Sequence, residues 1–476
     1  MKKKYVRWTL WTIASPFILF IILCILIYLP PIQNFLVDKA AVYASEATGM
    51  NISVGRISLS FPLNLVVTNV DAASPHNDTL LSVRRLQVNV QLLPLLKKQV
   101  EVDGISLQGA TVNSNDLIHG MKLNGTLGEL FISSHGVALD PETAIVNKVL
   151  LKDTDLSLCL NDTAAADTAA SDTAYWKIIL QDIDLQNVSF ALDMPLDSLS
   201  LAASLDNAIL RDGLIDLHKS AYSLQTFRIE NGRVRYDNGK PLAADSLSSG
   251  LDPSHIALTD IGVKLDSLYY GGRNMKAIIS QFVLKERSGV EIVSATGRMV
   301  SNDKVLRVPS LKLETRDSYL ELNAAMDWNA LDFKDEGLVS ARLMADIGKP
   351  DMVRFMGSMD EKFIRQYPSE PLRIRTGIDG DLNKLKLTTL TAELPGALGL
   401  FARGELTHLT DSLLRGGDIT LEAETKDLKF VSTLAEGIEI PYGTRLEGKF
   451  TMAGTKMGTD LLLMQPEAQA VVAADT

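Results

Sequence analysis

Apolar and polar residues alternate along most of this chain, and the alternation changes phase at recurring places. Ile105-Ser106-Leu107-Gln108-Gly109-Ala110-Thr111-Val112 shows the unit: apolar residues at 105 and 107, two polar or small residues, then alternation in the opposite phase. Side chains of a strand point to opposite faces in turn, so a one-residue slip would send the apolar set to the solvent side. A bulge or tight turn at Gln108-Gly109 absorbs the slip and keeps one face apolar throughout.

The unit recurs at Leu65-Val66-Val67-Thr68-Asn69, Val149-Leu150-Leu151-Lys152-Asp153, Ile183-Asp184-Leu185-Gln186-Asn187 and Phe227-Arg228-Ile229-Glu230-Asn231. Start positions 65, 105, 149, 183 and 227 lie 40, 44, 34 and 44 apart, the spacing of a solenoid-like array. Ile52, Val54, Ile57, Leu59 and Phe61 alternate around a phase change at Gly55-Arg56, and a further copy opens at Ile256. Any antiparallel sheet with one wet face alternates in this way. Here scarcely any helix-period segment interrupts the strands to cover so much apolar surface. The pattern therefore predicts a mainly β chain: a long, twisted, open sheet forming a half-pipe with an apolar interior. At about 30 strands spaced roughly 4.8 Å, it would be on the order of 140 Å long. The candidate lining residues are Leu86, Val88, Val90, Ile105, Leu107, Val112, Ile183, Leu185, Val188, Phe190, Phe227, Ile229 and Val234.

The ends and interruptions read differently. Lys2, Lys3, Lys4 and Arg7 precede an uncharged run, of which Trp8 to Leu29 would span about 33 Å as a helix, enough for a bilayer core. Phe17, Leu19, Ile22 and Leu26 fall inside it; Trp8, Trp11 and Tyr28 sit where interfacial aromatics would. The positive flank places the N-terminus in the cytoplasm and the body outside. Pro30-Pro31, with no small-residue cleavage site, argues for an uncleaved anchor. Residues 1–31 are thus read as cytoplasmic tip and anchor, 32–49 as an amphipathic capping helix stopped by Gly49, and 50–476 as the repeating groove. Asn161 to Ala174 and Lys240 to Ser254 read as long loops. Met352, Phe355, Met356, Met359, Phe363 and Tyr367 read as an inserted amphipathic helix, weakened by Gly357. No capping segment follows Leu461 to Met464, so a fragment, or a chain completed by a partner, is expected.

Composition removes several function classes. Apolar residues make up 46% and aromatics 6%, which suits broad aliphatic surfaces. The net charge is −11, and four positive charges with no acidic residue fall in the first 29, so the remainder carries −15. That balance is wrong for nucleic acid. Cys24 and Cys159 form neither a disulfide framework nor a metal site. His76, His119, His135, His218, His255 and His408 stand singly and read as loop or surface residues. Asp153-x-Asp155 and Asp182-x-Asp184 fall on the solvated face of repeat copies, and no phosphate-binding loop or nucleophile elbow occurs. No catalytic constellation, metal site or cofactor is predicted.

Two runs carry a family resemblance: TGMNISVGRISLSFPLNLVVTNV (Thr48 to Val70) and DTLLSVRRLQVNVQLLPLLKKQVEVDGISLQGATV (Asp78 to Val112). Together with the N-terminal apolar run, they resemble the start of the AsmA-like superfamily and, within it, the TamB proteins. The matching elements are a helix ending in Gly, a short strand pair, the turn at Phe61-Pro62 and the strand at Asn69-Val70. The Leu92 to Leu96 segment and the strand from Ile105 to Gly109 complete the match. Beyond residue 112 the likeness is periodicity alone, and the distal region typical of TamB is missing. The resemblance implies a bacterial inner-membrane, single-pass protein with a periplasmic β-taco, related in design to bridge-like lipid transfer proteins. It implies phospholipid acyl chains as cargo moving toward the outer membrane. The alternative it implies is an assembly factor for outer-membrane β-barrel proteins, working with a barrel partner of the TamA or BamA kind.

Overall fold

The computed structural model describes residues 39–475 apart from 40, 43–44, 47, 61–63, 75–78, 91–101, 115–119, 139–141, 162–175, 240–249, 335–336, 357–360, 434–440 and 466–468. The expected anchor, with Trp8, Trp11, Phe17, Leu19, Ile22, Leu26 and Tyr28, lies outside the described residues, as do the Phe61-Pro62 turn and the Leu92 to Leu96 segment. Among the described residues no helix is long and apolar enough to cross a membrane. Residues 39, 41, 42, 45, 46 and 48 are helical. Gly49 follows at φ +69, its N–H donating to the Ser45 carbonyl at 2.9 Å, the left-handed glycine stop that needs no Cβ. The Ser45 hydroxyl accepts from the N–H of Ile52 at 3.0 Å.

The fold is mainly β, a long twisted antiparallel sheet with few helices. The chain divides into two units, residues 1–214 and 215–476. In the first, β1 (Asn51–Ser60), β2 (Asn64–Ala73), β3 (Thr79–Val90), β4 (Val102–Asn113), β5 (Met121–Ala138) and β6 (Thr143–Leu160) form an antiparallel meander. β7 (Lys177–Met194) then lies parallel to β6, with Val149 beside Ile183, and β8 (Leu199–Asp216) follows. The β6–β7 pair is the parallel step in this otherwise antiparallel meander. The reason is connectivity: β7 starts beside Thr143, where β6 itself starts, so the two strands run the same way.

This arrangement explains the uneven spacing of the repeat copies. Intervals of 40 and 44 residues contain an outgoing and a returning strand, whereas the interval of 34 contains one strand and a crossing connection. The copies at 65, 105, 149 and 183 therefore run in the same direction. Among the described residues the number of strands falls below the expected 30, with β5 to β8 at 18 residues each, roughly three times the usual length.

In the second unit β9 (Ala221–Leu224) pairs with the end of β11 (His255–Gly271), while β10 (Thr226–Asp237) pairs along it. From β11 the meander runs without interruption through β12 (Asn274–Glu286), β13 (Glu291–Ser301), β14 (Val305–Thr315), β15 (Tyr319–Asp327), β16 (Leu338–Ile347) and β17 (Leu372–Asp381). It continues through β18 (Lys384–Leu394), β19 (Leu398–Thr407), β20 (Gly416–Thr425), β21 (Arg445–Ala453), β22 (Lys456–Met464) and β23 (Gln469–Asp475).

Small clusters close the two rims of this unit. At one, α1 (Trp328–Leu331) brings Ala330 against Val339 and Leu382. At the other, the expected single amphipathic helix is two short ones, α2 (Lys349–Met356) and α3 (Glu361–Gln366), with Gly357 in the stretch between them. Phe363 and Tyr367 pack on Leu394, Ala397, Leu428 and Phe430, with three ring pairs at 5.2 to 5.7 Å. The inserted segment thus sits at the rim, on strand ends. Phe355 and Met356 face out instead.

Candidate functional site

The registers of the first unit place the apolar residues of successive strands side by side. One row consists of Leu59, Leu65, Val88, Ile105, Ile132, Val149 and Ile183, and the next of Ile57, Val67, Leu86, Leu107, Leu130, Leu151 and Leu185. Outside the second runs a polar row, Arg56, Thr68, Arg85, Gln108, Glu129, Lys152 and Gln186, and between the two a mixed one, Ser58, Val66, Gln87, Ser106, Phe131, Leu150 and Asp184. Four of the repeat copies begin in one row, at Leu65, Ile105, Val149 and Ile183.

Beyond the second apolar row every strand passes a crease. Asn69 (φ +51), Gly109 (φ +60), Asp153 (φ +49) and Asn187 (φ +51), the fifth residue of each copy, are left-handed. Asn, Asp and Gly are the residues that enter this region at least cost. Their neighbours in the row are Gly55, Arg84 and Gly128. A Cβ on Gly128 would lie 2.8 Å from the Cβ of Asp153, and one on Gly55 3.0 Å from that of Asn69, so the crease demands glycine there. Past it the same face resumes with Val54, Val70, Val83, Ala110, Leu127, Thr154 and Val188, then Ile52, Ala72, Leu81, Val112, Gly125, Leu156 and Phe190. The four rows span about 23 Å along the strands and about 29 Å across them.

The predicted lining residues of this unit, Leu86, Val88, Ile105, Leu107, Val112, Ile183, Leu185, Val188 and Phe190, all fall in the four rows. Val90 continues β3 beyond them, opposite Val102. No side chain in the first two rows is buried; Ile105 is 36% exposed and Phe190 in the fourth row 38%. Side by side they shield one another.

In the second unit Phe227, Ile229 and Val234 pair with Leu265, Val263 and Leu258. Ile229 opens the longest row: Val263, Phe282, Ala295, Leu313, Leu320, Ala345, Ile374, Ala392, Leu400, Ala423, Leu446 and Leu463 follow on consecutive strands. Asn231 (φ +53) and Asp260 (φ +52) are again the fifth residues of their copies. Sequence reasoning took Leu86, Val88 and Val90 from the returning strand β3 but missed Val83 there, Leu127, Leu130 and Ile132 on β5, and the copy on β8. There Ala208-Ile209-Leu210-Arg211-Asp212 ends in a left-handed Asp212 (φ +52), a signal readable as apolar-x-apolar-x-Asp.

Several polar side chains of β6, β7 and β8 pair with one another. Asp182 pairs with Arg211, Gln186 donates to Asp184 at 3.3 Å, and Asn187 donates to Asp153 at 2.9 Å. No group of metal-ligating residues occurs among the described residues. One histidine departs from expectation: His255 is 5% exposed, its Nδ1 2.8 Å from Asp252 and its Nε2 3.6 Å from Asp237. It is buried because it closes the turn entering β11. The Ser254 N–H and then the His255 ring hold the Asp252 carboxyl below the usual carboxylate range.

No family model, curated protein or solved structure matches the chain.

Proposed function

We propose that the chain is a membrane-anchored conduit of the AsmA-like kind, in which lipid acyl chains lie along the apolar rows while headgroups project to water. The observation that supports it most directly is the unbroken aliphatic row from Leu59 to Ile183, half-exposed on every strand of the first meander. Each CH₂ withdrawn from water there stabilises a bound acyl chain by about 0.8 kcal/mol, with no shaped pocket required. Such a face, curved into a half-pipe, suits a continuous track better than a single-ligand site. In this reading residues 8–29 cross the inner membrane, the body lies in the periplasm, and phospholipid moves outward.

Photocrosslinking tests the proposal. A photoreactive group at Leu107 or Leu185 is expected to capture lipid, and one at Ser106 or Asp184, on the polar face, is not. Equal capture from both faces would end the conduit reading.

A further inference from the structure

Consecutive residues of a regular strand face opposite ways, yet Arg84 and Arg85 are both exposed, between half-buried Leu86 and buried Val83. Val83 and Leu86 belong to the apolar rows on either side of the crease, so the crease turns both guanidinium groups to the polar face. Arg56 joins them there. Arg56 is registered with Thr68 and Thr68 with Arg85, so the two lie two strands apart, about 10 Å. The Arg84 side chain reaches across β4, where a Cβ on Gly109 would be 3.0 Å from its Nε.

None of the three makes an ion pair among the described residues, and Arg85 Nη2 donates only to Gln87, at 3.2 Å. Other cations of this chain do pair with carboxylates, as Arg211 does with Asp182 and Arg375 with Asp346. Three neighbouring arginines, none in ion-pair contact with a carboxylate among the described residues and with Glu129 two strands beyond Arg85, form an anion site on a body that carries −15 outside its first 29 residues. The guanidinium fork fits phosphate oxygens two at a time, and Thr68, Gln87 and Gln108 surround it with further hydrogen-bonding groups.

We infer that Arg56, Arg84 and Arg85 form a docking site on the polar face for the phosphate groups of anionic membrane lipids. The inference goes beyond the conduit. It takes from the anchor reading only which surface is near: 21 residues separate Leu29 from Asn51, so the first strand begins at most about 75 Å from the proposed membrane exit. Docking there would hold the first strands against the bilayer surface, with the apolar face turned away from the headgroups.

The test reconstitutes the full chain into phosphatidylglycerol or phosphatidylcholine vesicles with a photoreactive residue at Gln108, exposed beside Arg85. Capture of phosphatidylglycerol is expected in the first vesicles. Capture should fall roughly tenfold or more in R56Q/R84Q/R85Q, since each basic residue near an anionic surface contributes about fivefold. The R56K/R84K/R85K chain should regain most of it, which also shows that substitution leaves the fold intact. Unchanged capture in the glutamine variant, equal capture of phosphatidylcholine, or abolition by millimolar inorganic phosphate would overturn the inference. That last result identifies a free-phosphate site instead. A Leu107 probe in the same chains reads the conduit independently.

Discussion

The side-chain Nδ2 of Asn187 donates to Oδ1 of Asp153 at 2.9 Å, joining two left-handed residues on parallel strands. The bond ties β6 to β7 at the crease, where each strand leaves the extended conformation and regular ladder pairing lapses. A double-mutant cycle with Asp153→Ala and Asn187→Ala should show coupling of about 1 kcal/mol in urea unfolding. Asn187→Gly, which keeps the backbone free, should cost less than Asn187→Val, whose branched side chain resists φ near +50 by roughly 1–2 kcal/mol or more.

Glycines of the sheet are not equivalent. Gly128→Ala would place its Cβ 2.8 Å from the Cβ of Asp153 and 2.9 Å from two carbonyl oxygens, and should destabilise the first unit by about 1–3 kcal/mol. Gly399→Ala meets nothing within 4 Å and should be neutral or slightly stabilising, by roughly 0.5 kcal/mol, through the unfolded chain. Urea midpoints of the two variants measure the contrast.

How far the sequence reveals this architecture depends on whether the information is local. The phase change at Gln108-Gly109 is local, because only Asn, Asp and Gly enter the left-handed region readily; so the starts at 65, 105, 149 and 183 align as the structure aligns them. The parallel step from β6 to β7 is a property of connectivity, and nothing in Val149 or Ile183 announces it. Strand length is not local either: Thr126, inside the 18-residue β5, registers as an ordinary partner of Thr111 and Asp155. The burial of His255 depends on Asp237 and Asp252, joined to it through a turn that no periodicity encodes.

The turn at His255 carries a pH dependence. Asp252 has a lowered carboxyl pKa in the folded chain, so its contribution is present above the unfolded value of 3.8 and is lost as pH falls through the folded value. Asp252→Asn should therefore speed local hydrogen exchange at Ser254 and Ala257 at pH 7. The difference from the parent chain should shrink at acid pH, where Asp252 itself is protonated. A difference that persisted unchanged below pH 3 would assign the effect to packing.

Phe363 is 3% exposed and meets Tyr367 and Phe430 with ring centroids 5.7 Å away in each case. Phe363→Ala should cost about 3–5 kcal/mol locally and release α3 from the strand ends. Protease cleavage in residues 357–366 should rise, whereas cleavage in the first unit should not change.

The sharpest consequence of the row registers concerns a charge placed in the apolar face. Leu130 lies between Leu107 and Leu151 in the second row, half-buried and on a strand that the repeat pattern did not single out. A lysine there keeps its stem along the row and its ammonium in water, so the sheet should fold with a loss of only about 1 kcal/mol. An acyl chain crossing the same position would have to desolvate that charge or detour around it. Leu130→Lys should consequently lower lipid capture by a probe at Leu151, on the adjacent strand, while Glu129→Lys, one residue away on the polar face, should leave it unchanged. Because both variants add one lysine to β5, the contrast isolates which face the lipid uses, and equal capture in the two would place the lipid elsewhere.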